Sequence, residues 1–438
     1  MAMLFLVLFS TMAVGFVAAT SMTAQVAGNE RKIVQAQDAA DGGMRYVRYQ
    51  LCSVNMPAVI PSGMMDALAT QLGNQLNGTT QMRGYAVQNT GGTIYLPAQG
   101  QWMNLDTTVG SKFQAAITQS GTSLLVTVTG AGSTSRVTRG IQLLFQPVPL
   151  AGNVFNYGIA SASEITMGGN VKVTGTPSSA GTVLSATAGA IPLTMNGNPG
   201  ISGDYSYVNP LGISNYGTGT IAGFAPTNPS FAQHVHSGVA SPVFPVVDPT
   251  VYSQFATNTY SQGATVLANV TLPPGTYSLS GVTIQGVLYL QSPCKVSISG
   301  QSTIQAIIVS DCKSNVGNLT TNVISLSGQV QVQDVSTLPN TFTSAERSLT
   351  GAFILAPYSA VSLSGNFGSI SGSLIASQYN MSGNASGTIT GSMINIADTA
   401  MDFAGNASVN IVHNTSTVPA GVYAGCNFTP SQGSYLEL

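Results

Sequence analysis

Charge is what this chain of 438 residues has least of. Its twelve Lys and Arg and fourteen Asp and Glu make up 6% of the sequence, against an ordinary ~25%. With a net charge of −2 and no basic run, no surface could neutralise a row of phosphates, so we expect no nucleic-acid partner. Cysteine is scarce too. Cys52, Cys294, Cys312 and Cys426 contain no C-x-x-C pair, which excludes a zinc knuckle or a thioredoxin-type redox motif. The single tryptophan, Trp102, reads as a core anchor rather than a ligand platform.

The residues for catalysis are equally thin. No Gly-x-Ser-x-Gly nucleophile elbow and no phosphate-binding loop occurs. After Thr265 the acids are Asp311, Asp334, Glu346, Asp398, Asp402 and Glu437, and no regular spacing gathers several on one face. His234-Val235-His236 is the most metal-like element, because alternate residues of a strand point the same way. Its closest acid in sequence is Asp248. We read these two histidines, and His413, as solvated loop residues. The chain is therefore expected to be no enzyme and to hold no cofactor or metal.

What is present is a long uncharged start. Met1–Asn29 has no ionisable side chain, and Glu30-Arg31-Lys32 follows at once. A bilayer core of ~30 Å needs ~20 apolar residues at ~1.5 Å each, and Leu4–Val26 meets that. A cleaved secretory signal wants a basic start and an apolar stretch of only ~7–15 residues. Ala18-Ala19-Thr20 could serve as its cleavage neighbourhood, but the segment fits a retained anchor better. Arg31, Lys32, Arg45 and Arg48 follow it, and the positive-inside rule alone would put the head in the cytoplasm. The charge-poor, β-rich remainder favours the head outside.

Good helix formers continue without proline to Met44, with small or apolar residues at Val26, Ala27, Ile33, Val34, Ala36, Ala40 and Met44. That spacing predicts one helix that leaves the membrane and turns amphipathic. Asn29-Glu30-Arg31 and Ala39-Ala40-Asp41-Gly42, behind an apolar start, resemble the N-terminus of PilX-type type IV pilus assembly proteins, which are minor-pilin-like. The resemblance covers roughly the first fifty residues. The family has Glu where Asp41 stands, and a short basic leader where this sequence opens Met1-Ala2-Met3; a start codon placed too far downstream would account for the latter. It implies a bacterial inner-membrane helix, an exported head in the periplasm or at the cell surface, and other pilins or pilus assembly proteins as partners.

Beyond the helix, Phe113–Thr118, Leu124–Thr129 and Gly140–Phe145 read as strands of a small β-rich head. Gln119–Thr122 and Thr129–Gly132 read as its turns. Arg136 and Arg139 read as solvated edge charges. After Asn153 the pattern becomes a repeat with Gly corners at Met167-Gly168-Gly169-Asn170, Ser299-Gly300-Gln301, Ser327-Gly328-Gln329, Ser364-Gly365-Asn366, Ser382-Gly383-Asn384 and Ala404-Gly405-Asn406. Spacings of eighteen (Gly365 to Gly383) and twenty-two (Gly383 to Gly405) suit coils of a parallel β-helix, apolar inside and Ser/Thr outside. Leu272-Pro273-Pro274-Gly275-Thr276-Tyr277 resembles the start of such domains in bacterial surface proteins. A β-sandwich is the alternative.

The expected fold is mainly β: a long transmembrane helix (1–55), a small pilin-like head (56–152), a first solenoid segment with a Pro/Gly-rich excursion over Asn209–Tyr260 (153–264), and a right-handed parallel β-helix (265–438). Cys294 and Cys312, one coil apart by count, are expected to form a disulfide. The expected function is a structural, pilin-like envelope component of a pilus or pseudopilus that displays a solenoid. The alternatives are a membrane-anchored adhesin binding surface polysaccharide and a polysaccharide-acting enzyme.

Overall fold

The computed structural model describes residues 2–106, 108, 110–133, 136–149, 154–175, 181–405, 407–413 and 418–438. The boundary expected at 152/153 and the corner residue Asn406 lie outside them. The chain forms two compact units: Met1–Pro57 with Pro61–Leu150 and Cys426–Leu438, and Ala58–Ile60 with Ala151–Gly425.

The first unit opens with helix α1 (Ala2–Ser53), unbroken over 52 residues. A second helix, α2 (Met64–Leu76), turns Met64, Met65, Leu68, Leu72 and Leu76 inward at helical spacing. The sheet is antiparallel: β1 (Gln88–Thr90), β2 (Thr93–Leu96), β3 (Met103–Asp106), β4 (Ser111–Ser120), β5 (Ser123–Ala131) and β6 (Thr138–Pro149). Its order is β1-β2-β4-β5-β6, continued by Cys426–Pro430, with β3 on β4 and Leu436–Glu437 on β6. Phe113, Ala115 and Ile117 alternate inward on β4, as do Leu124, Val126 and Val128 on β5. The turn expected over Thr129–Gly132 is not one, because β5 runs through Gly130 to Ala131. The period-two phase of Leu124, Val126 and Val128 carries on to Gly130.

The second unit is a parallel β-helix, a continuous sheet that has 22 strands among the described residues. The expected fold class stands, but the domain layout differs. The last thirteen residues, Cys426–Leu438, belong to the head. Pro149 pairs with Cys426, so the solenoid is an insertion between two neighbouring antiparallel strands. Both ends of the inserted chain are thereby fixed side by side, which a C-terminal appendage would not require.

The two solenoid segments are also one stack, wound out of chain order. The first coil, with strands Ile159–Ser161, Ile165–Met167 and Lys172–Gly175, packs against later-numbered coils on both sides. Ile159 pairs with Val183 in the next coil and with Met393 in the last. From there the chain winds one way to Val235–Ser237, then begins again at Asn258–Thr259 and Val266–Leu272. It then winds through the Gly275–Ser280 and Thr283–Leu290 strands to Ser408–His413, where Ile411 pairs with Val173. The Leu272–Tyr277 run thus begins close to the start of the second set of coils.

Each corner predicted from sequence has one glycine with a left-handed backbone: φ is 64° at Gly169, 70° at Gly300, 78° at Gly328, 82° at Gly365, 68° at Gly383 and 73° at Gly405. Only glycine adopts this region without steric cost. Several stack closely. A Cβ on Gly365 would lie 2.5 Å from the Gly328 carbonyl oxygen, and one on Gly405 2.9 Å from that of Gly383.

The inside of the coils is apolar: Ile284, Ile304, Ile354, Leu374, Met393, Ile159 and Val183 are all buried. The outside is not uniformly polar as expected. Val309, Leu355, Ile375, Ile394, Ala160 and Leu184 stack in an outward-facing column with Val287 and Ile307 beside it, shielded by Phe155, Val247, Tyr252, Val335 and Leu338 from the connecting segments. The Asn209–Tyr260 excursion is therefore structural. It supplies short strands to the stack and a cover for its flank.

Candidate anchoring and assembly site

The two halves of α1 meet opposite environments. In the first half Leu6, Val7, Leu8, Phe9, Met12, Val14, Phe16, Val17, Met22 and Val26 are all exposed, on every side of the helix. A helix apolar all round needs an apolar surrounding. Its hydroxyls make no demand on that surrounding. Ser10 donates to the Leu6 carbonyl, Thr11 to Val7 and Leu8, Thr20 to Phe16 and Val17, Ser21 to Ala18, and Thr23 to Ala19. In hydrocarbon, where an unsatisfied polar group costs several kcal/mol, such back-bonding is the available solution. The segment is long and apolar enough to cross a membrane.

The second half is packed. Ala36, Ala39, Ala40, Met44, Val47 and Leu51 are buried along one face, and the small residues allow close approach to the sheet. A Cβ on Gly130 of β5 would fall 2.3 Å from the Ala36 carbonyl oxygen, and one on Gly43 2.6 Å from the Phe113 ring. Tyr46 meets Phe113 with ring centroids 5.8 Å apart. A Cβ on Gly42 would lie 3.0 Å from the Leu105 side chain. Asp41 accepts a hydrogen bond from the Tyr435 hydroxyl at 3.2 Å. Gln50, buried, accepts from Gln75 of α2 at 2.7 Å.

Ala39, Ala40, Asp41 and Gly42 are thus brought together as the seam between helix and head. Asn29, Glu30 and Arg31 are not part of it and stay exposed. Sequence reasoning missed Gly130 and Tyr435. Gly130 had a signal in the strand phase, whereas Tyr435 had none, because its place depends on the chain's return after the solenoid.

The other candidates resolve differently. Cys294 and Cys312 are free thiols, so the expected disulfide is absent. Eighteen residues is not the coil length at this point. Lys295 pairs with Val323, which places Cys294 over Asn322, whose Oδ1 accepts the Cys294 N–H at 3.1 Å. Cys312 lies beyond the Thr303–Ser310 strand at φ 54°, its Sγ donating to the Ser310 carbonyl at 3.3 Å. Burial pushes both thiols up to about 12.

His236 is exposed, as expected, and His234 is half-buried, but neither lies in a loop. His234 ends the helical turn Pro229–His234 and His236 sits on the short strand Val235–Ser237. The acid they meet is Asp204 rather than Asp248, their closest in sequence. The register Tyr205↔Val235 sets both against Asp204, with His234 Nδ1 2.8 Å from one carboxylate oxygen and His236 Nε2 3.2 Å from the other. Burial pulls the Asp204 carboxyl upward, but its hydrogen bonds to the two imidazoles and their charge outweigh this and hold it below its usual range. Phe224 stacks on His234 at 5.4 Å. Among the described residues no group of three or more His, Cys, Asp or Glu is placed to hold a metal. His413 is buried, and its Nε2 donates to the Phe155 carbonyl at 3.1 Å.

Three of the acids do local structural work. Asp334 accepts the Ser336 N–H at 2.8 Å, Glu346 closes a capping box with Thr343, and Asp311 accepts from Ser292 at 2.6 Å while pairing with Lys313 at 3.2 Å. Trp102 is half-buried rather than a core anchor, with the Lys112 ammonium 5.6 Å from its ring centre.

No family model matches this sequence, and no curated protein aligns with it significantly. Among solved structures the chain is similar to the competence-associated pilin ComZ from Thermus thermophilus. Identity is 12%, over 93% of this chain and 97% of that one, with a TM-score of 0.24. At that score the likeness carries no argument.

Proposed function

We propose that this protein is a non-enzymatic, pilin-like component of a type IV pilus or pseudopilus assembly that displays a β-solenoid. The observation that carries the reading is α1. Its first half is an uncovered apolar rod, and its second half is the spine of a small antiparallel head. The same rod suits a bilayer before assembly and a bundle of like helices after it, since both offer apolar contact on all sides. The helix sits in the bacterial inner membrane with the head exported, and its partners are that membrane and other pilins.

The test is a photo-crosslinking amino acid at Phe9 or Val14 of the full chain, expressed in a piliated host. Adducts with pilin subunits in the sheared surface fraction are expected. Adducts with lipid alone, and no chain in that fraction, would overturn the pilus role. Recovery of a chain lacking Leu4–Val26 from the medium would overturn the anchor as well.

A further inference from the structure

We propose that the cleft beside the head-side end of the apolar segment binds the phosphate of an anionic phospholipid. The proposal rests on the membrane reading above and adds a lipid class to it. The cleft has a volume of about 560 Å³, and α1 lines it with Gly28, Arg31, Lys32 and Gln35. Residues three, four and seven apart share one helix face. The opposite wall carries the hydroxyl residues Thr108 and Ser133 beside Gly110. Gly110 has φ 69°, and a Cβ there would lie 2.8 Å from that of Ser133, so glycine leaves that serine its place.

Depth along the helix matches the headgroup layer. At ~1.5 Å per residue, Arg31 and Lys32 stand roughly 7–9 Å beyond Val26. A headgroup layer of roughly 5–8 Å per leaflet lies outside the hydrocarbon. Exposed Met22 and Val26 on the preceding turns offer apolar surface for the acyl chains of the same lipid. A guanidinium fork and an ammonium suit a phosphodiester, and neither Arg31 nor Lys32 is ion-paired with a carboxylate among the described residues. Two acids lie near. Glu30 projects about 100° around the helix from Arg31, and Asp106 accepts the Thr108 N–H at 2.6 Å. The basic pair after the span then acts as a lipid ligand, which frees it from being read as a topology signal.

The experiment reconstitutes the full chain in nanodiscs of mixed phosphatidylcholine and phosphatidylglycerol and reads retained lipid by native mass spectrometry. Wild type is expected to retain phosphatidylglycerol preferentially. The double variant Arg31→Gln/Lys32→Gln is expected to lose that preference on the order of tenfold. Arg45→Gln/Arg48→Gln, with the same change in net charge on exposed residues outside the cleft, is expected to keep it. Equal retention by the first variant and wild type overturns the proposal, and so does displacement of the lipid by excess inorganic phosphate. A wild-type chain that fails to enter phosphatidylcholine discs at all overturns the membrane reading with it, a distinct outcome.

Discussion

Gly130 of β5 faces the backbone of Ala40 in α1 so closely that a Cβ on the glycine would lie 2.2 Å from the Ala40 nitrogen. Backbone cannot yield as a flexible side chain can, so Gly130→Val must push the helix off the sheet. Overpacking of this kind costs about 1–3 kcal/mol. Urea unfolding of the head should show that loss, while Gly63→Ala, with nothing within 4 Å of the new Cβ, should leave the midpoint unchanged.

The corner glycines allow a graded test in the solenoid. Gly365→Ala combines a left-handed φ of 82° with a Cβ 2.5 Å from the Gly328 oxygen. Gly383→Ala has φ 68° and open space within 4 Å. The second should cost about 1–2 kcal/mol for backbone conformation alone. The first should cost more, and guanidinium unfolding of the two variants measures the difference.

These cases mark what was legible in sequence. The corner glycines were, because a left-handed backbone restricts residue type locally. So was α1, because uncharged length and helical spacing are local properties. The winding order was not. That Ile159 stacks on Met393, or that Asp204 receives both His234 and His236, depends on register between distant segments. The Cys294–Cys312 expectation failed for the same reason, since the connection 311–322, in which Cys312 itself lies, lengthened that coil and broke the count. The outward column from Val309 to Leu184 looked like ordinary alternation until the segments covering it were in place.

Thiol labelling checks the cysteine assignments directly. Burial pushes Cys294 and Cys312 up to about 12 and Cys426 up to about 11, and the thiolate is the reactive form. Cys52 is exposed. Iodoacetamide at neutral pH should modify Cys52 in the folded protein and the other three only after denaturation. Peptide mass spectrometry reads each site, and a Cys294–Cys312 linked peptide would contradict the structure.

Glu346 should make the solenoid acid-sensitive. Burial would raise its pKa, but the Thr343 hydroxyl and amide and the Asn269 side-chain amide bond the ionised form and hold it below the usual range. As pH falls, the unfolded chain therefore takes up the proton first. The stabilisation is complete above about 4.3 and disappears as pH falls through the lower folded value. Unfolding midpoints measured downward from neutral pH should drop in that window. Glu346→Gln should start about 1–3 kcal/mol lower and show a shallower drop.

The pairing of Pro149 with Cys426 makes the head a closed design with the solenoid set into one hairpin. Removing residues 150–425 and joining the strands by Asn-Gly should suit a two-residue turn, because those residues favour the positive φ that it needs. The head keeps its own supports in that variant: Met56 bonds the Cys426 carbonyl at 2.9 Å, Phe428 is buried, and Tyr435 still reaches Asp41. Circular dichroism in detergent should show a cooperative melt close to that of the head in the full chain. Truncation after Gly425 keeps the whole solenoid but removes Phe428 and the strands that cover β6. A lost phenylalanine alone costs about 3–5 kcal/mol, so the head should melt or be proteolysed while the solenoid survives. Equal stability of the head in both variants would mean that the returning strand contributes nothing, against the register seen here.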